Sequence, residues 1–356
     1  MKLGAVPDPQ LDDILAKVSR SFYLSLAILP RAVRTQLSVA YLVARAADTI
    51  ADTRAVRPER RLELLRRLQV EVLGGDERSA LVLGDDVVRE VGSTGSGATP
   101  SEHLLLTRLA ECLEGLRGFE AGDRERTQRV LETLITGMER DLRRFPSPEA
   151  GQPFTGEPVA LATLDELDEH CYYAAGCVGE YWTTMMAAHV PSLRRLGRPD
   201  FVARGVRLGK ALQLVNVVRD AARDLTEGRS YVPRELLAGN AITVGDLVDP
   251  ARRARARAAL QTLHRICLEH VDAAFPYVLA IPRRELRLRL ATVWPLWIGL
   301  ATLARLRDAS DPLDPRAPIK ITRREVYTII AESTAAAASD RLLSAAHARR
   351  RRDAMI

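Results

Sequence analysis

Cysteine is scarce: four in 356 residues, and Cys112, Cys171, Cys177 and Cys267 form neither a CxxC pair nor any metal-ligand spacing. That excludes a disulfide scaffold and a zinc module, and leaves reduced, buried thiols of the kind found in cytoplasmic proteins. Aromatics make up only 5% of the chain, and alternating Val/Ile/Thr/Tyr runs closed by hairpin turns are missing, which argues against sheet. The N-terminus "MKLGAVPDPQLDDILAKVSR" has no apolar core of a secretory signal, so none is expected. The longest apolar stretch, "ATVWPLWIGLATLARL" at 291–306, is too short and too Arg-flanked to span a bilayer. No glycine-rich dinucleotide fingerprint occurs. The six histidines show no metal spacing and read as incidental. The net charge of +6 and the ending "HARRRRDAMI" invite an anionic partner. Without a nucleic-acid motif or interleaved aromatics, nucleic acid is not expected. A solvated basic tail (about 347–356) or loose attraction to an anionic membrane surface remains.

What is present is helix. Hydrophobic residues are 47% and charged residues 28%, with Ala, Leu and Arg dominant. A 3.6-residue apolar period predicts helices near 9–28, 31–53, 57–73, 101–119, 123–144, 163–188, 200–226, 251–279, 283–307 and 322–347. Gly/Ser/Pro-rich connections separate them, among them a surface loop at 92–100 and a longer connection at 146–158. No internal repeat appears. The reading is one all-α domain over residues 1–356, of about ten helices.

Two helices carry acids where apolar residues dominate. In "LVARAADTIADT" (42–53), Asp48 and Asp52 stand at i and i+4 on one face, with Arg45 one turn earlier. Carboxylates persist in such surroundings only when paired or bound to metal. Taken alone, the pair serves equally as an ion-paired structural feature. A second helix, "LGKALQLVNVVRDAARDLTEGRSYVP" (208–233), sets Lys210, Gln213, Asn216, Asp220 and Asp224 in one polar stripe opposite Leu212, Val215, Val218 and Ala222. Facing each other across a bundle cavity, the two pairs make a hard, oxygen-rich site suited to Mg²⁺, which is commonly held by one or two carboxylates plus substrate phosphates. Arg45, Arg219 and Arg229 fit as ligands of diphosphate oxygens. Together these groups suit stabilisation of a departing diphosphate beside a dry, apolar cavity that protects a carbocation from water.

At this point the chain resembles the squalene/phytoene synthases, which join two prenyl diphosphates head to head. Four blocks carry the resemblance: "SRSFYLSLAILP" (19–30), "ARAADTIADT" (44–53), "CYYAAGCVGEYW" (171–182) and the 208–233 block with its Gly-Arg-x-Tyr-x-Pro close. "WPLWIGLATLARL" with "IKITRREVYTII" (319–330) is similar to the segment that squalene synthases use for their reductive half-reaction.

The resemblance implies an isoprenoid-synthase-type helical bundle around a central apolar cavity. It implies a monomeric, Mg²⁺-dependent (Mn²⁺ as the alternative) farnesyltransferase that condenses two farnesyl diphosphates to presqualene diphosphate and reduces this to squalene with NADPH. Synthases that end at presqualene diphosphate, hydroxysqualene, dehydrosqualene or phytoene are the alternative. A cytoplasmic enzyme, soluble or peripheral on the inner membrane face and without a transmembrane anchor, is expected. By the same resemblance Asp48, Asp52, Asn216, Asp220 and Asp224 would be metal ligands. Arg20, Ser21, Arg45, Gln213, Asn216, Arg219 and Arg229 would bind diphosphate, Tyr173 would face the cation or relay a proton, and Lys320 and Arg323 would hold the cofactor phosphate. Structural roles compete for several of these: a buried hydrogen-bonded tyrosine for Tyr173, helix-packing amides for Gln213 and Asn216, an exposed basic helix start for Lys320 and Arg323. Phe22 matches the first block or is plain core, Tyr172 is read as packing on another face, and Trp294 and Trp297 as apolar wall. One departure stands out. Eukaryotic squalene synthases carry Glu immediately before the last Asp of the first motif, and here that residue is Ala51.

Overall fold

A computed structural model describes residues 9–19, 22–91, 98–146 and 154–356. Arg20, Ser21, most of the 92–100 loop and most of the 146–158 connection lie outside the described residues. The helices, in chain order, are α1 (Pro9–Val18), α2 (Phe22–Ala27), α3 (Arg31–Asp52), α4 (Pro58–Gly74), α5 (Glu77–Val91), α6 (Pro100–Thr107), α7 (Leu109–Arg117) and α8 (Ala121–Arg144). Then follow α9 (Leu164–Cys171), a π-helical turn (Tyr172–Gly176), α10 (Cys177–His189), α11 (Pro199–Thr226), α12 (Arg234–Ala238) and α13 (Val244–Val248). The chain closes with α14 (Arg257–Ala280), α15 (Leu286–Asp308), α16 (Arg323–Ala336) and α17 (Asp340–Asp353).

The expected all-α architecture is present, with more breaks than periodicity suggests. The chain is interrupted between α1 and α2, and Pro30 caps the start of α3. Predicted helix 322–347 divides where Ser339 caps α17 with its hydroxyl. Helix α5 was not foreseen. Its buried residues Ala80, Leu83, Val87 and Val91 follow a helical spacing, while Leu81 and Val82 are exposed and blur the pattern. The strand-free expectation is corrected by a two-residue parallel ladder, Val159–Ala160 (β1) with Arg229–Ser230 (β2). One apolar core runs through the bundle, from Leu11 to Ala354. All four cysteines are free and buried, as composition predicts.

Helix α11 is the hub, packed against α10, α14 and α15. Glycine permits this closeness. A Cβ on Gly209 would stand 2.0 Å from the Ala175 carbonyl oxygen, and one on Gly205 would stand 2.2 Å from Thr183 Oγ1. The polar stripe of α11 is therefore pressed against the π turn. A further tie joins the C-terminal helices: the fully buried Arg289 of α15 donates to the Ala337 carbonyl at 2.6 Å and pairs with Asp340 of α17. Among the described residues, no helix is long and apolar enough to cross a membrane.

Candidate active site

Both aspartate pairs line one cavity of about 570 Å³, a size typical of small-ligand sites. Asp48, Asp52, Arg45 and Ala51 come from α3, and Gln213, Asn216, Arg219, Asp220 and Asp224 from α11. The remaining wall includes Leu134, Met138, Leu142 and Phe145, an apolar surface beside the charged one. Arg229 arrives by a sharp reversal. Gly228 has φ of +82°, a left-handed conformation that favours glycine, and it turns the chain directly after α11. Arg229 thereby lies 3.0 Å from Asp224 and 2.9 Å from Glu227.

The arginines hold the aspartates together. Arg45 bridges Asp48 and Glu102. Arg219 forms a two-point pair with Asp220, at 2.9 and 2.6 Å. Burial nevertheless dominates the carboxyls. It pushes Asp48 up to about 6, aided by the neighbouring Asp52 and opposed by Arg45. It also raises Asp52 and Asp224 against the pull of Arg229. Burial works against the Arg229 guanidinium too, but Tyr231, Asp224 and Glu227 outweigh it and keep the cation firmly protonated. Arg229 thus sits electrostatically between the two aspartate helices, acting on Asp48, Asp52 and Asp224.

The donor set fits a hard divalent cation. Carboxylates pushed toward their neutral form are relieved by positive charge, and all four aspartates and the Asn216 amide reach one cavity. Among the described residues, no three His, Cys, Asp or Glu side chains converge into a ready-made cluster. Such a site suits an ion that completes its shell with water and ligand phosphates, as Mg²⁺ does.

Tyr173 also faces the cavity, from the π turn. Such turns insert one residue into a helix and recur at functional sites. Its ring lies under the Arg140 guanidinium, 4.8 Å from the centroid, and Gly137 of α8 makes room, since a Cβ there would stand 2.8 Å from Tyr173 Cβ. Tyr172 points elsewhere, as expected, and donates to Glu180 at 3.1 Å.

Several residues in or beside the site carried little or no sequence signal. Tyr231, within the quoted Gly-Arg-x-Tyr-x-Pro close, donates to Asp141 at 2.8 Å. His170, read above as incidental, lies on the cavity wall with Nδ1 3.3 Å from Asp141 and its ring 4.2 Å from that of Tyr231. Glu102 is bound through the capping box at the start of α6, where it accepts from the Thr99 backbone at 2.7 Å. A helix period reveals none of these three.

Other predicted residues lie apart. Lys320 and Arg323 are exposed and do not line the cavity. Trp294 and Trp297, expected as cavity wall, are core instead: Trp294 donates to Ser333 at 2.9 Å, and the Arg350 guanidinium lies over the ring of Trp297. Phe22 stacks on Tyr41, with centroids 5.6 Å apart.

Known proteins resemble this chain in sequence and fold. The family model for squalene/phytoene synthase matches residues 15–325. Squalene synthase of Schizosaccharomyces pombe is 24% identical over 90% of this chain, which spans only 64% of that protein's length. Presqualene diphosphate synthase of Rhodopseudomonas palustris is 28% identical, and the match covers 93% of this chain and 98% of that one. The solved structure of TcSQS with a bound ligand shares the fold at a TM-score of 0.73 and 22% identity, over 96% of this chain and 90% of that one. With the family model matched over most of its length, two aspartate helices and their arginines around one cavity, the chain belongs to the squalene/phytoene synthase family.

Proposed function

We propose that the chain condenses two farnesyl diphosphates head to head, giving presqualene diphosphate and inorganic diphosphate. The observation that carries this reading is the gathering of Asp48, Asp52, Asp220 and Asp224 with Arg45, Arg219 and Arg229 on one cavity wall beside an apolar surface. Arg45, Arg219 and Arg229 take diphosphate oxygens, exchanging aspartate partners for substrate. The aspartates and Asn216 hold a divalent cation, which when bound withdraws charge from the leaving diphosphate. Leu134, Met138, Leu142 and Phe145 line the apolar side and keep water from the cation. Tyr173 presents its ring to the same space.

A second reading continues the reaction to squalene with NADPH, favoured by the 291–306 and 319–330 segments. Lys320 and Arg323 stand outside the cavity lining. Incubation with farnesyl diphosphate and Mg²⁺, with and without NADPH, followed by mass analysis of the products, tests both readings. Presqualene diphosphate in the absence of NADPH is the expected result. Its absence sinks the first reading, and a product unchanged by NADPH sinks the second.

A further inference from the structure

A chain of hydrogen-bonding side chains crosses the cavity wall opposite in character to the arginine cluster. Asn216 donates to Gln213 Oε1 at 3.4 Å, which turns the Gln213 amide N–H toward His170 Nε2, 3.2 Å away. With the Gln213 amide donating, His170 Nε2 is the accepting nitrogen of this pair, and Nδ1 faces Asp141 at 3.3 Å. Tyr231 donates to the same Asp141 oxygen. Burial, followed by Asp141, holds the Tyr231 hydroxyl well above its ordinary range, so it stays a donor and does not act as a base. The His170 side chain is 11% exposed, and its ring is fixed against Tyr231, which Phe145 in turn meets edge-on at 5.2 Å. This is an oriented imidazole with a carboxylate behind it, the arrangement that lets a base accept a proton and stabilises the cation formed. Asp48, Asp220 and Asp224 pair with arginines, whereas Nε2 of His170 meets only the Gln213 amide.

We propose that His170, backed by Asp141, is the proton acceptor of the condensation. The inference rests on the presqualene-forming reading above. Carbon 1 of the first farnesyl group, ionised by loss of diphosphate, bonds to C2 of the second and leaves a cation at C3. The C1–H bond then breaks, its electron pair closes the C1–C3 bond of the cyclopropane, and the proton passes to His170 Nε2. Gln213 holds the acceptor in register until the substrate displaces its amide.

The test measures diphosphate release and presqualene diphosphate in parallel, with farnesyl diphosphate and Mg²⁺ and no NADPH, for the parent, His170→Ala and Asp141→Asn. The parent should yield one product per diphosphate released. In His170→Ala diphosphate release should persist while product per diphosphate falls by about 100-fold, the remainder appearing as the tertiary alcohol formed when water traps the coupled C3 cation. Imidazole added to the buffer should restore the product, an effect that a purely structural histidine does not show. Asp141→Asn should move the ratio in the same direction by a smaller factor. If His170→Ala melts early, His170→Gln carries the comparison of the product ratio. A parental ratio in the folded variant overturns the inference, and so does a low ratio in His170→Ala that imidazole leaves unchanged. A parent that releases no diphosphate from farnesyl diphosphate overturns the functional reading, and this inference with it. A parent that turns over while the variant matches it removes His170 alone.

Discussion

Replacing Asp48 by Asn should make the metal-free protein more stable and less active, and the size of the gain follows from the site. Burial and Asp52 push the Asp48 carboxyl up to about 6 even though Arg45 pairs with it. Relative to an ordinary value of about 3.9, that would penalise the charged form by about 3 kcal/mol in a sealed site. However, 38% of the Asp48 side chain is open to cavity water, and screening leaves about 1 kcal/mol. The sign follows from proton uptake. Between about pH 4 and 6 the folded chain holds a proton that the unfolded chain has lost, so the term disfavours folding more as pH rises and is fully present above pH 6. Asn resembles the neutral acid, and Arg45 keeps Glu102 as a partner, so no buried cation is orphaned. In chelator-containing buffer, Asp48→Asn should melt about 2 °C higher than the parent at pH 8, with the difference vanishing toward pH 4. Product formation with Mg²⁺ should fall by about 100-fold or more. A variant less stable than the parent at pH 8 would mean that Asp48 is chiefly the structural partner of Arg45. Full activity would remove it from the site.

Three further outcomes follow from individual contacts. Glu102→Gln removes the second carboxylate from Arg45, and we expect a rise of several-fold in KM for farnesyl diphosphate with a smaller change in kcat; unchanged steady-state kinetics would show that Asp48 alone positions the guanidinium. Tyr173→Phe keeps the ring under Arg140 and removes only the hydroxyl, so the variant should fold with a parental melting curve. A loss of about tenfold or more in product then identifies a chemical role for the hydroxyl, and parental turnover assigns Tyr173 to packing. Gly209→Ala places a methyl 2.0 Å from the Ala175 carbonyl, which should cost about 1–3 kcal/mol or more by forcing α11 off the π turn. Denaturant unfolding at parental stability would show that the crossing has slack.

The two aspartate helices were legible because their chemistry contradicts their surroundings: acids four apart in otherwise apolar helices stand out in a linear reading. Gln213, Asn216 and Arg229 were legible for the same reason, as members of a stripe and its close. Glu102, Asp141 and His170 were not. Glu102 is written as a capping residue, Asp141 sits among surface charges in "GMERDLRRF", and His170 ends an acidic helix. Lys320 and Arg323 belong to a motif whose side chains are exposed and stand outside the cavity lining.

Local patterns along the chain determined that this protein is helical, where its acidic motifs lie, and which family it resembles. Periodicity and charge spacing are properties of neighbouring residues, and they survive without knowledge of packing. Tertiary structure alone decided that α3 and α11 share one cavity, that Gly228 reverses the chain to bring Arg229 between the aspartate pairs, and that His170 meets Asp141, Gln213 and Tyr231. Those contacts join residues tens of positions apart. They depend on close approaches, such as Gly209 against the Ala175 carbonyl, whose partners sequence spacing does not encode.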